Sequence, residues 1–372
     1  MKICLIGVFP ENVQQVKGGV ANVILYLAQG LILKGHEVHV VTTGVSNNSF
    51  VYPTGIHVHV VKVPALLPRL LTNWSVIAAA IQRTLLIIRP DISHFHGSAT
   101  YLRGYQGCCL LTLHGIAELD ARYDKVLVPY FKSRAQAFIE GYFRKRVGNV
   151  IIINKYLLEA IGEDIKGNVS LIENPVSPMF YSVTPAPRLK IVYAGMISNR
   201  KNVLGLLEAF NIVHSTFPLA ELRIIGPIRD VRYYNQCASF VAAHGLSDAV
   251  SFLGPLSPTA VSLELASASC MVLLSFQETA PLIIGEAMAS GVPVVVSNAG
   301  GARYMVEEGV TGYVVDASNT QRAAERIIEL VRDKEKAAAM GLAGRVAALK
   351  RFHLDRIIEQ TLNVYERVVG GR

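Results

Sequence analysis

Residues 269–301 read SCMVLLSFQETAPLIIGEAMASGVPVVVSNAGG. An apolar run, Cys270–Leu274, stops at Ser275; an apolar segment of helical length follows Pro281; and a second β-branched run, Val292–Val296, resumes behind Gly291. Two such strands joined by a helix pair in parallel, because an antiparallel partner would need only a short turn. A parallel strand buried on both faces shows no polar alternation, which is how VPVVVS reads. This βαβ unit sets the fold class, and the rest of the chain repeats it.

Ahead of it, LKIVYAG (189–195), ELRIIG (221–226) and VSFLG (250–254) read as strands, and GYVV (312–315) follows. The front half offers KICLIGV, EVHVVTT, HVHVVKV, DISHF, LLTLH, VIIIN and VSLIE, with helix-length segments such as Val20–Lys34 and Ser133–Val147 between them. Strands alternating with helices over 372 residues predict two α/β domains in tandem, each a doubly wound, Rossmann-like parallel sheet. Between the halves ENPVSPMFYSVTPAPRLK holds four prolines in eighteen residues, a density that discourages regular structure. The expected division is residues 1–175, a linker at 176–188, a second domain at 189–352 and a terminal helix at 353–372. Folds of this class bind ligands beyond the carboxyl ends of their strands, so a cleft between the domains is the expected site.

Composition narrows the function classes. Apolar types make up 51% and charged residues 17%, a globular balance that excludes disorder. The most apolar stretch, Val76–Ile88, is broken by Gln82 and Arg83 and is too short to span about 30 Å of hydrocarbon. MKICLIGVFPE reads as a first strand and turn, not as a secretory leader. Five cysteines without a C-x-x-C pair argue against a disulfide frame or structural zinc and for a cytoplasmic setting. Residues 1–190 hold 19 Lys/Arg against 11 Asp/Glu, whereas 191–372 hold 17 of each, so the whole net charge of +8 sits in the front half. That asymmetry predicts an anionic partner there: nucleic acid, a phosphorylated substrate or a membrane surface.

No G-x-G-x-x-G follows the first strand of either half, and the P-loop, G-x-S-x-G and H-E-x-x-H patterns are missing, which removes dehydrogenases and several hydrolase classes. What remains is an acidic residue just past a strand, Glu278, then Pro281 in the expected first helical turn, then Glu286 within the helix. The free N–H groups of that helix start suit a diphosphate. By spacing alone the two glutamates read first as exposed acids near a helix start. His94 and His96 share one face of a strand and lack a Cys or carboxylate cluster that would make a metal site.

The surroundings are more specific. Glu-x7-Glu followed by AMASGVPVV and NAGG resembles the retaining glycosyltransferases of family 4, which have the two-domain GT-B fold. KGGVANVILYLAQGLILKGHEVHVVTT, DISHFHG, LTLHG, IENPVSPMF, AGMISNRKNVLGLLEAF and RFHLDRIIEQTLNVYERV resemble further segments of that family in the same order, over nearly the whole chain. The resemblance implies a donor-binding second domain, an acceptor-binding first domain and a final helix that returns to the first. It assigns Glu278 to donor-sugar hydroxyls, Glu286 to the nucleotide ribose, and the backbone of Ala280, Pro281, Leu282 and Ile283 to sugar and phosphate oxygens. Lys201, with Arg200, would neutralise the departing diphosphate; His114 would sit near the reactive carbon; Gly18 and Gly19 would let backbone approach phosphate or sugar. No metal and no cofactor are implied, a nucleotide-diphosphate sugar being the co-substrate. Two positions depart from the family pattern: Met196 stands where many members have Arg, and Pro281 where many have Gly. Arg200 is expected to take over the phosphate contact.

The implied function is a cytoplasmic transferase acting on a glycan or lipid-linked acceptor, with TYLRGYQG and YFKSRAQAFIEGYFRKRVGN as exposed aromatic and basic segments able to lie on an anionic membrane. A GT-B regulatory subunit without turnover, and an epimerase or phosphorylase on the same fold, are the other readings. Nucleic-acid recognition lacks its modules.

Overall fold

Parallel pairing dominates the computed structural model, which describes residues 1–10, 18–63, 72–116, 119–120 and 138–371. The first sheet comprises β1 (Lys2–Ile6), β2 (Glu37–Gly44), β3 (Asn48–Val51), β4 (His57–Lys62), β5 (Ile92–His96), β6 (Cys109–Leu113), β7 (Asn149–Ile152) and β8 (Asn168–Leu171). Among the described residues its spatial order is β3-β4-β2-β1-β5-β6-β7-β8, with only the β3–β4 pair antiparallel. The second sheet comprises β9 (Lys190–Ala194), β10 (Glu221–Ile225), β11 (Val250–Gly254), β12 (Cys270–Leu273), β13 (Val294–Ser297) and β14 (Gly312–Val315), all parallel in the order β11-β10-β9-β12-β13-β14. Strand β3 was not expected: NSFV shows no apolar alternation, since it is a largely exposed edge strand.

Both sheets wind outward from their first strand. β1 lies between β2 and β5, and β9 between β10 and β12, so each sheet has a switch point where successive connections leave to opposite sides. The loops beyond the carboxyl ends diverge there and open a crevice.

The chain divides into one unit of Met1–Glu118, Pro129–Pro175 and Leu354–Arg372 and another of Leu119–Val128 and Val176–His353. Residues 176–188, expected as a linker, carry a helical turn, Pro178–Tyr181, and group with the second unit. They are pinned to the helix Lys334–Phe352: Tyr181 Oη donates to the Ala348 carbonyl at 3.1 Å, and the Arg345 guanidinium donates to the carbonyls of Val183 and Tyr181.

The C-terminal helix, Leu354–Gly370, belongs to the first unit. It packs against α1 (Gly19–Leu33) where Gly30 leaves room: a Cβ there would stand 2.6 Å from Ile358 Cγ1. Tyr365 is fully buried, and its hydroxyl lies 2.7 Å from His94 Nδ1 on β5. Cys108 Sγ donates to the Val368 carbonyl, and Lys34 pairs with Glu359 at the rim. All five cysteines are free thiols, and Cys4, Cys237 and Cys270 are buried in the cores.

Of the segments read as exposed and aromatic, TYLRGYQG keeps Arg103, Gly104 and Gln106 exposed but draws its tyrosines partly inward. Thr100 is buried, and Tyr105 bonds Ser93 Oγ at 2.7 Å while packing edge-on to Phe95. In YFKSRAQAFIEGYFRKRVGN, residues 130–137 lie outside the described residues. Phe138 is 76% and Tyr142 47% exposed, with Arg146 over the Tyr142 ring, whereas Arg144 is buried against Asp164. Among the described residues no helix is long and apolar enough to cross a membrane.

Tyr365→Phe strands a buried imidazole nitrogen, so it is expected to destabilise the first unit by about 1–3 kcal/mol in urea unfolding, with the slope unchanged.

Candidate active site

The second unit builds its site where the loops after β9 and β12 face each other. Beyond Ala194 the chain must turn sharply past its neighbour. Gly226, at φ +135°, makes this possible, because a Cβ there would fall 2.0 Å from the Gly195 carbonyl oxygen. Tyr193 Oη donates to the Met196 carbonyl at 2.9 Å and braces the turn. A 3-10 turn, Asn199–Lys201, follows, then Asn202 in the left-handed region as the N-cap of α2 (Val203–Thr216). The Asn202 side chain accepts from Gly205 N–H and donates to the Ala317 carbonyl at 2.8 Å, so both its polar ends are used. Its short polar side chain suits the left-handed backbone.

This turn delivers Arg200 and Lys201 inward, 8% and 9% exposed. Cations so buried need partners, and the loop after β12 supplies them. Lys201 Nζ donates to Glu278 Oε1. Arg200 Nη1 donates to the Gln277 carbonyl at 2.8 Å and lies 3.7 Å from Glu278 Oε2 and from Asp120 Oδ1. Phe276 N–H donates to the Arg200 carbonyl at 2.9 Å, tying the two loops through their backbones. Arg200 is therefore already committed to positioning the Gln277–Glu278 peptide.

A third loop, after β13, supports Glu278 from behind. Gly301 N–H donates to the Glu278 carbonyl at 2.8 Å. Gly300 adopts φ +63°, and a Cβ on it would stand 2.2 Å from that same oxygen. Backbone approaches this close leave room for glycine alone.

The helix α3 (Leu282–Ala289) starts immediately after this cluster. Pro281 is its N-cap, with extended backbone (φ −68°, ψ 122°), one position earlier than the sequence suggested. An N-cap residue's own N–H is not needed by the helix, so proline is tolerated there without loss. The Leu282 and Ile283 N–H groups belong to the first turn, which has no acceptors within the helix. Ala280, Pro281 and Leu282 are half-buried beside it. Glu286 is the fifth residue of α3 and half-buried, and desolvation pushes its carboxyl up to about 7.

In the first unit, Gly18 caps α1 at φ +99°, and both Gly18 and Gly19 are exposed. His114 directly follows β6 and is half-buried. Its Nε2 lies 2.8 Å from His96 Nδ1 at the end of β5, with the two rings stacked. Beneath them His94 bonds Tyr365 through Nδ1 and Thr112 through Nε2, at 2.7 and 2.6 Å. Burial holds all three imidazoles neutral: His94 falls to about 3, His114 to about 4, and His96 well below its ordinary value, helped by the other two.

Lys201, Arg200, Glu278, Ala280–Ile283 and Glu286 thus come together in the second unit, and His114, Gly18 and Gly19 lie in the first. The sequence reading did not foresee Asp120, the Gln277 carbonyl or the His96–His114 bond. The signal for the last is the pair of histidine-bearing strand ends, DISHFHG and LTLHG, on neighbouring strands.

Comparison with known proteins follows the same division. The model of Glycosyltransferase Family 4 matches residues 17–179, and that of Glycosyl transferases group 1 matches residues 181–347. Among curated proteins, the N-acetyl-alpha-D-glucosaminyl L-malate synthase of Bacillus anthracis is 26% identical, covering 95% of this chain and 94% of its own. The phosphatidyl-myo-inositol mannosyltransferase of Mycobacterium leprae is 24% identical over the same shares. Among solved structures, a sucrose-phosphate synthase from Thermosynechococcus elongatus superposes with TM-score 0.84 over both full chains at 17% identity. Anabaena HepE in complex with UDP and glucose gives 0.76 at 19% identity, covering 98% of this chain and 99% of its own.

Gly300→Ala must displace the Glu278 backbone. It is expected to lower kcat/KM at least tenfold while costing about 1–3 kcal/mol of stability, read by steady-state kinetics and urea unfolding.

Proposed function

Because the chain belongs to the family 4 glycosyltransferases, with two Rossmann-like domains of the GT-B type, we propose that it moves a sugar from a nucleotide-diphosphate donor to a glycan or lipid-linked acceptor with retention at the anomeric carbon. The observation that carries this reading is the buried Arg200–Lys201–Glu278 cluster at the start of α3, beside the switch point of the second sheet.

The bond between the anomeric carbon and the diphosphate oxygen breaks with its electron pair passing to the phosphate. Charge therefore develops on the leaving group, where Lys201 and the first-turn N–H groups of α3 stabilise it most. Donor binding exchanges partners: Lys201 turns from Glu278 to the diphosphate, and Glu278 accepts hydroxyls of the sugar. Glu286 accepts the ribose hydroxyls. The acceptor oxygen attacks on the face the leaving group vacates, and its proton passes to the departing phosphate oxygen. No metal or prosthetic group takes part in this scheme, the positive charge being supplied by Lys201, Arg200 and the helix N-terminus. Arg200, 3.7 Å from Glu278, contributes charge in place of the arginine replaced by Met196, while it holds the Gln277 carbonyl. Arg200→Ala is accordingly expected to weaken donor affinity and slow turnover together; a variant with both intact would remove this role.

UDP and glucose in the Anabaena protein make a uridine nucleotide the first donor to try. The phosphatidyl-myo-inositol substrate in the name of the mycobacterial relative favours a lipid-linked acceptor and a role in cell-surface polysaccharide or glycolipid synthesis. The excess positive charge of the first half and the exposed Phe138, Tyr142 and Arg146 suit a peripheral position on the cytoplasmic face of an anionic membrane.

Thermal unfolding with UDP, GDP, ADP, dTDP and CMP tests the donor site. One nucleotide at about a hundred times its Kd should stabilise by roughly 2.7 kcal/mol, and Glu286→Ala should abolish the shift. No response to any nucleotide would defeat the reading.

The Glu286 carboxyl adds a pH test. Its folded value of about 7 exceeds the ordinary 4.5, so the native state keeps a proton that the unfolded chain has lost. Stability is therefore expected to fall, by on the order of 3 kcal/mol, as pH rises from 4.5 through 7. Nucleotide affinity should move the other way, strengthening as pH rises through about 7 and the carboxylate becomes able to accept both hydroxyls. Glu286→Gln should flatten both profiles.

A further inference from the structure

The hydrogen bond between His96 and His114 contains a single proton, and which ring carries it decides what His114 can do. With both rings neutral, either His96 Nδ1–H donates to His114 Nε2, or His114 Nε2–H donates to His96 Nδ1. In the first arrangement His114 keeps its proton on Nδ1 and presents a donor to a ligand; in the second it presents a bare acceptor.

The far side of His96 discriminates between them. His96 is 4% exposed, and its Nε2 has no hydrogen-bond partner among the described residues. The second arrangement would place a proton on that nitrogen and bury an orphaned N–H. The first leaves only an unused lone pair, and unmet buried donors are the rarer of the two in folded proteins. His94 cannot relieve His96, because both its nitrogens are occupied by Tyr365 and Thr112. Its ring instead packs at 4.0 Å from the His96 ring and holds that ring in place.

We propose that His96 is a positioning residue that donates its Nδ1–H to His114 Nε2, fixing His114 as a neutral Nδ1–H hydrogen-bond donor toward a substrate bound at the carboxyl ends of β5 and β6. The proposal rests on the transferase reading for what His114 meets, but the tautomer itself does not depend on it. Locked this way, His114 donates without carrying charge, and turning the imidazole would break the bond that sets it. As metal-ligating histidines are fixed by the group on their other nitrogen, so His114 is fixed here by a second histidine.

The test has one arm for the tautomer and one for turnover. In protein labelled with 15N at histidine, the His114 ring should show a protonated Nδ1 and an unprotonated Nε2 at neutral pH, with His114→Ala identifying its resonances. A protonated His114 Nε2 would overturn the proposal. His96→Phe removes the donor and should release His114 into a mixture of tautomers. It should lower kcat about 10–100-fold with the KM for donor little changed. His96→Asn, which keeps an N–H near the Nδ1 position, should recover most of that loss and restore the single tautomer. Equal activity of His96→Phe and the native protein, or no recovery in a folded His96→Asn, would also overturn it. If the transferase reading fails, no variant turns over while the ring resonances still report the tautomer, so the two failures are distinguishable.

Discussion

Parallel strand pairing is the constraint on which everything else in this molecule depends. When neighbouring strands point the same way, every connection must leave from the carboxyl end of one strand and return to the amino end of the next, so the loops beyond the carboxyl ends collect together. Lys201 follows β9, Glu278 follows β12 and Gly300 follows β13, three strands side by side except for order in sequence. His96 ends β5 and His114 follows β6, the next strand across. Residues far apart in the chain become neighbours without any long-range device beyond the sheet. The first turn of α3 then brings its N–H groups to the same edge.

The two units treat charge under burial in opposite ways. The second retains charged groups and pairs them: Lys201 and Arg200 against Glu278, with Asp120 near Arg200. A buried pair of this kind is seldom a large source of stability, since desolvation offsets most of the attraction. In the proposed reaction its role is to keep cations at a place where phosphate can later claim them. At the carboxyl ends of β5 and β6 the first unit instead removes charge, with His94, His96 and His114 held neutral by burial and joined to neighbours by hydrogen bonds. Glu286 stands between these extremes, its carboxyl raised by desolvation to about 7.

Much of this was readable in the amino-acid order, for local reasons. The βαβ rhythm, the terminal helix, the loop position of Glu278 and the helical position of Glu286 all follow from periodicity and punctuation within a dozen residues. What escaped reading depends on distance or on burial. Tyr365 meets His94 across 271 positions, and no pattern near either residue announces the other. Arg200 is free in a sequence and committed in the fold, because its acceptor is a carbonyl at position 277, and carbonyls carry no identity. The inward turn of Tyr105 was missed because an aromatic in a glycine-rich loop reads as exposed until Ser93 and Phe95 are seen beneath it. Strand β3 was missed because an edge needs little apolar content to pair.

The return of the last helix to the first unit has a consequence for how the protein is made. Synthesis runs from the N-terminus, and the elements of the second unit, up to His353, all emerge before Tyr365 does. Until that moment His94 lacks one of its partners, and the face of α1 around Gly30 lacks its cover. The unit that is translated first is therefore completed last, after its neighbour has had the chance to fold. A chain ending just before Tyr365 would carry an intact second unit and a damaged first one, so the lesion would reach His94, 271 positions from the lost residue.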